Sequence, residues 1–163
     1  MYALNTDEIQ ALCPTAKIIL YPDLKKYHSL DDLLGKYGQA ILLYLTIGNF
    51  GHYCCVFKRD NGEIEFFDSM GGRVDGVLKN VDPDFKELSD QKARLTKFLL
   101  DHGCKKVIYN EHDVQGKSNT CGRWCGLRLL FNHMTLDEFI KTFGNLAQAQ
   151  NDNRVTRLTN GLF

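Results

Sequence analysis

The stretch Val114-Gln115-Gly116-Lys117-Ser118-Asn119-Thr120-Cys121-Gly122-Arg123-Trp124-Cys125 changes character halfway along. It opens as a polar loop and then turns apolar. Trp124, Leu127, Phe131 and Met134 fall at i, i+3, i+7 and i+10, which is the stripe of a buried helix face. The change comes at Cys121, so its thiol is expected at a helix N-terminus. Unpaired N–H groups and the helix dipole there favour a thiolate, the form that attacks carbonyl carbon. Gln115 stands six residues upstream and can offer amide hydrogens to an oxyanion. A small buried cysteine is the competing reading of Cys121.

A cysteine nucleophile needs a base in hydrogen-bond reach, and the base needs a group to orient it. Among the five histidines, His52 stands out. It opens an apolar strand that runs to a turn at Asp60-Asn61-Gly62, and the returning strand ends in Asp68. A two-residue Asn61-Gly62 loop would send His52 and Asp68 to opposite faces. A three-residue loop with Gly62 left-handed pairs positions whose numbers add to 122. Position 54 then opposes 68, and His52 lies one diagonal step from Asp68 on the same face, close enough for ring and carboxylate to meet. That register also places Cys54, Val56, Ile64 and Phe66 on the shared face. A strand-end histidine bonded only to backbone is the plainer alternative. His28, His112 and His133 sit among polar residues and read as surface groups. His102 fits the C-terminal end of a helix without any function.

The rest of the chain reads as a mixed pattern. Residues 6–12 form a short helix with Thr6 as N-cap. Residues 16–21 form a strand limited by Pro22. Ser29 with Asp32 opens a short helix. Residues 40–45 are continuously apolar, as a strand buried on both faces would be. Strands are expected at about 52–58 and 63–68, a turn-rich loop at 69–84, an amphipathic helix over 89–102 closed by Gly103, and a strand at 106–109. Thr135 and Glu138 form a capping box for a helix to about Phe143. Residues 144–163 are polar and give no clear pattern. The sum is an α+β fold: a mixed central β-sheet with helices packed around it.

The 163 residues and 44% hydrophobic content fit one domain, 1–163, with an ordinary core. The formal net charge is zero, which gives no electrostatic pull toward nucleic acid or an anionic membrane. No apolar run approaches a membrane span, and the first residues lack a signal-peptide pattern. The six cysteines are therefore expected reduced, in a cytosol-like compartment. Zinc is the rival chemistry. Cys121 and Cys125 are one helical turn apart, but that is the single pair with knuckle spacing, and Cys54 and Cys55 should face opposite ways.

The order His, acid, Gln, Cys narrows the field, because papain-like enzymes place Cys before His. Val114-Gln115-Gly116 … Ser118 … Cys121-Gly122 … Cys125 resembles the nucleophile segment of the adenain-like cysteine proteases, the maturation proteases of adenoviruses and their relatives in virophages and polinton-type elements. Gly51-His52-Tyr53 and Phe66-Phe67-Asp68-Ser69-Met70-Gly71 resemble the family's His and acid strands. The clan of SUMO-specific proteases is similar too, and the Gln115-to-Cys121 interval is the one seen there. Tyr53 stands where many relatives have Trp. The matched motifs cover about 52–72 and 114–131.

That resemblance implies an adenain/SUMO-protease-like fold and a thiol endopeptidase. Cys121 would be nucleophile, His52 base and then acid, Asp68 the orienter, and Gln115 an oxyanion donor beside the Cys121 N–H. It further implies cleavage near small residues, often Gly, with viral capsid precursors as protein substrates, in a virion or in host cytoplasm or nucleus. No cofactor is required. An activating peptide is a possible partner of the kind such enzymes use, with Cys104 in a roughly comparable place. DNA activation finds no support in the charge, and no membrane partner is expected. The alternatives are a deconjugating isopeptidase for ubiquitin-like proteins, an acetyltransferase with a related triad, and a zinc-stabilised or inactive binding module.

Overall fold

The computed structural model describes residues 3–47, 50–104 and 106–162. A five-stranded mixed sheet holds it together. Its strands are β1 (Lys17–Leu20), β2 (Gln39–Ile47), β3 (Phe50–Lys58), β4 (Ile64–Phe67) and β5 (Val107–Tyr109), side by side in that order. β2, β3 and β4 run antiparallel to their neighbours in the middle, and the two edge pairs are parallel. Helices cover both faces, so the α+β class read from the pattern is the class found.

The β3–β4 hairpin has the three-residue register. Cys55 pairs with Phe67, Val56 with Phe66 and Phe57 with Glu65, each pair adding to 122. Arg59 N–H donates to the Glu63 carbonyl and Gly62 N–H to the Arg59 carbonyl, both at 2.8 Å. Gly62 sits at φ +86°, where an L side chain is strained. The consequence runs along the strands. Cys54, Val56, Ile64 and Phe66 join one core, while Tyr53, Cys55, Phe57 and Phe67 join the other.

The first core lies under α1 (Thr6–Leu12), α5 (Cys121–Leu130), α6 (Leu136–Phe143) and α7 (Gln148–Asn160). The second is closed by α2 (Leu30–Leu34) and α4 (Arg94–Asp101). Apolar burial of about 25 cal/mol per Å² favours a sheet sandwiched in this way, and it explains why β2 reads as a continuous apolar run. Trp124, Leu127, Phe131 and Met134 all pack in the first core, as their spacing foretold. The helix itself ends at Leu130.

α5 is buried on nearly all sides. Gly122 and Gly126, one turn apart, let α1 approach. A Cβ at Gly122 would meet Ile9 Cδ1 at 2.6 Å, and one at Gly126 would run into Leu12. Farther along, the Arg128 guanidinium is wholly buried and grips Glu65 of β4 through Nε at 2.7 Å and Nη2 at 3.0 Å. It lies over the rings of Phe57 and Phe139 and donates to the carbonyls of Phe131 and Met134 at the end of α5. Arg59 adds a further bond to Glu65 at 3.0 Å. The buried carboxylate is thus compensated, and the helix is fixed to the sheet.

Several boundaries differ from the sequence reading. The cap of α1 is Asn5, not Thr6: Asn5 and Glu8 form a reciprocal capping box, while the Thr6 hydroxyl meets Tyr53 Oη at 3.2 Å. Tyr21–Lys26 is a 3-10 turn, because Pro22 suits a helical start better than a strand end. The expected loop 69–84 holds another 3-10 turn, Gly76–Asn80, and Pro83 begins α3 (Pro83–Leu88). The single helix expected over 89–102 is therefore two. Ser89 Oγ bonds back to the Phe85 carbonyl and Asp90 adopts φ +55°, which ends α3 before α4 begins. Leu95 and Leu99 still face the core, and Gly103 is left-handed as expected. Residues 144–163 contain α7, which no periodicity announced.

Candidate active site

Three separate elements converge at one end of the sheet. β3 delivers His52 opposite Tyr44 of β2, β4 runs out into Asp68, and α5 starts at Cys121. His52 Nε2 meets Asp68 Oδ1 at 2.6 Å. With Nε2 turned to the carboxylate, Nδ1 is the nitrogen left for another partner. The Cys121 sulfur accepts the N–H of Tyr53, the residue after His52, at 3.5 Å.

The dyad is shielded: the His52 side chain is 13% exposed and that of Asp68 5%. Burial alone pushes the His52 pKa down. The Cys54 sulfur, the Asp68 bond and the Cys121 sulfur oppose it, and the net direction is far above the ordinary imidazole value. Burial, reinforced by the Asp68 charge, keeps Cys54 a thiol. The ring thus shares a tight cluster with the Asp68 carboxylate and the Cys54 sulfur, their ligand atoms within 4.8 Å of one another.

Asp68 is held in turn. Its Oδ1 also accepts the Met70 N–H at 2.8 Å. Its backbone N–H donates to Asn110 Oδ1 at 3.2 Å, and its carbonyl accepts Asn110 Nδ2 at 2.6 Å. The next residue, Ser69, ties this strand to the Cys121 loop. Its carbonyl accepts the N–H groups of Val114 and Gln115 at 2.8 and 3.1 Å, and its hydroxyl donates to Gln115 Oε1 at 2.5 Å. Gln115 Nε2 donates one hydrogen to the Ser118 carbonyl. Among the described residues that is its one bond, so the second amide hydrogen stays available.

The same loop is braced from behind by α7. The Asp152 carboxylate, 2% exposed, accepts the Gly116 N–H at 2.9 Å, the Thr120 hydroxyl at 2.9 Å and the Trp124 indole N–H at 3.4 Å. These donors flank Gln115 on one side and Cys121 on the other. Asn151 Nδ2 adds a bond to the Val114 carbonyl at 3.1 Å. Gly116 must be glycine here, since a Cβ would meet Asp152 Oδ2 at 2.9 Å.

The sequence reading singled out residues 52, 68, 115 and 121, of which the structure joins His52 to Asp68 and ties Gln115 to Ser69 and Ser118. It missed Ser69, Asn110, Asn151 and Asp152, which are polar residues in polar surroundings with no spacing to mark them as buried. Cys125 is buried beside Cys55, and burial raises its pKa, so it takes no part in the site. Among the described residues one group has metal-ligand geometry: His52, Cys54 and Asp68, with ligand atoms within 4.8 Å of one another. A metal held there would have to replace the His52–Asp68 bond. Cys104 is half-buried and donates to the Lys106 carbonyl.

Beside the dyad opens a cleft of about 510 Å³, lined by His52, Asp68, the turn after β4 and residues Tyr109 and Glu111. Cys121 does not line it. No helix among the described residues is long and apolar enough to cross a membrane.

No protein-family model matches the chain. ChlaDub1 from Chlamydia trachomatis shares the fold: the superposition covers 99% of this chain and 93% of that one, with a TM-score of 0.50 and 12% identity. The central domain of the uncharacterized Lpg1148 protein from Legionella pneumophila superposes over 99% and 98% of the two chains, with a TM-score of 0.47 and 13% identity. The uncharacterized protein V9 of Sputnik virophage is 44% identical over 140 residues, which span 84% of this chain and 80% of V9. At that identity and coverage, the chain belongs to the family of the Sputnik virophage protein V9.

Proposed function

We propose that the protein is a cysteine endopeptidase whose nucleophile is Cys121. The observation that carries this reading is the His52–Asp68 pair at 2.6 Å, with the Cys121 sulfur held on the N–H of Tyr53, the residue next to His52. Cys121 attacks a peptide carbonyl as its thiolate. The oxyanion is met by the second Gln115 amide hydrogen and by the Cys121 N–H, which opens α5 and has no partner within the helix. The His52 imidazolium gives its proton to the departing amine, and the C–N bond breaks. His52, now neutral, then takes a proton from water as the water attacks the thioester, and returns it to the Cys121 sulfur. Asp68 keeps Nε2 occupied, so Nδ1 does this work.

The motif resemblance to adenain-like enzymes and the virophage relative support processing of viral capsid precursors, in a virion or an infected cell, at small residues such as Gly. A second reading is favoured by one observation. The fold is shared with ChlaDub1, whose name denotes a deubiquitinating enzyme, so an isopeptidase acting on ubiquitin-like conjugates is the rival. Purified protein incubated with capsid precursors and with Gly-Gly-tailed ubiquitin-like reporters separates the two. Cys121→Ala is expected to abolish every turnover with the fold intact, and an active Cys121→Ala protein removes the assignment.

A further inference from the structure

The cleft beside His52 has an unused chemistry. Its wall carries Arg73 and Lys79, both exposed, and neither side chain has an ion pair or hydrogen bond among the described residues. The two acids that share the cleft are unequal. Asp68 is committed to His52, and Glu111 alone is uncommitted. The uncommitted charge is therefore positive. At the lip Gly72 faces open space, with nothing within 4 Å of where a Cβ would stand.

The position of the cleft decides what enters it. His52 borders it and Cys121 does not. A base that protonates the departing amine must have that amine over it. The residues after the scissile bond therefore run on past His52, beside the cleft that it borders. The cleft volume of about 510 Å³ lies in the range of sites that enclose small ligands.

Resting on the peptidase reading, we infer that the preferred substrates are polypeptides with an acidic side chain in the first two positions after the cut, held by Arg73 and Lys79. Exposed pairs of this kind contribute modestly. The expected difference in kcat/KM between an Asp peptide and a Lys peptide is about tenfold, falling as salt rises.

The test starts from a peptide library that locates a cleavable sequence by mass spectrometry. Three quenched peptides then share the residues before the cut and carry Asp, Asn or Lys at both positions after it. Wild type is expected to rank them Asp over Asn over Lys. The double variant Arg73→Glu with Lys79→Glu, both on the surface and checked by its melting curve, is expected to reverse that order. Cleavage of all three at equal rates, or an order that survives in the double variant, overturns this inference and leaves the peptidase reading standing. Failure to cleave any peptide or precursor overturns both.

Discussion

His52 and Asp68 are sixteen positions apart in sequence, yet their side chains meet at 2.6 Å because one glycine sets the hairpin between them. Gly62, at φ +86°, closes a three-residue loop. The resulting register keeps ring and carboxylate on one face. Gly62→Ala is expected to destabilise the fold by about 1–2 kcal/mol, the cost of a left-handed L residue. Chemical denaturation measures it, and an unchanged midpoint would show that the turn relaxes freely.

Asp68→Asn tests the orienter. The amide keeps the shape and can still accept the Met70 N–H, but it replaces the carboxylate that holds the His52 ring in place. Peptidase activity is expected to drop by a factor of up to about 10⁴ without vanishing. A rate equal to wild type would mean that another group holds the ring.

The raised pKa of His52 makes a pH prediction with a definite sign. A folded-state value above the ordinary 6.5 means that folding favours the protonated ring. That stabilisation is fully present below 6.5 and is lost as pH rises toward the folded value. The stability gap between wild type and His52→Ala should therefore be widest at mildly acidic pH and shrink in alkali. Denaturant titrations of both proteins across pH check this. A gap that widens in alkali contradicts it.

Asp152 holds the loop between Gln115 and Cys121 through three donors. Asp152→Ala leaves the Gly116 N–H, the Thr120 hydroxyl and the Trp124 N–H without that acceptor. Each stranded buried group costs about 1–3 kcal/mol, reduced where water enters. We expect a loss of at least about 2 kcal/mol, together with faster hydrogen exchange at Gly116. Retained protection of that amide would show that the loop is fixed by Ser69 alone.

Thiol chemistry should sort the cysteines. Burial pushes Cys13 up to about 11, and raises Cys54 and Cys125 as well. Reactivity follows thiolate content and access, so brief iodoacetamide treatment of the native protein should mark Cys121 and the half-buried Cys104. Peptide mapping reads the result directly. Prior labelling of Cys54 or Cys125 would mean that the core opens readily.

The parts of this molecule that follow local rules were legible in the sequence. Turn chemistry at Asp60-Asn61-Gly62 marked the hairpin, the requirement that His52 and Asp68 share a face pointed to its three-residue register, and the switch from polar to apolar at Cys121 marked the start of α5. Capping by Asn5 rather than Thr6, and the break between α3 and α4 at Ser89-Asp90, depend on which of two adjacent polar groups wins a backbone hydrogen. Composition does not decide that contest. Arg128 and Glu65 lie sixty-three positions apart and look like solvated charges until the fold buries them together. Asp152 was hidden for the same reason. Its partners lie on a loop and a helix distant in sequence, and the polar run around it carries only Val155 and Thr159 as buried spacing marks.

The brace from α7 has a consequence for the order of synthesis. Residue 152 is made after every other group of the site, so a ribosome-bound chain exposes the sulfur, ring and carboxylate before it owns the helix that steadies them. A nascent chain halted short of α7 is expected to be a blunt tool.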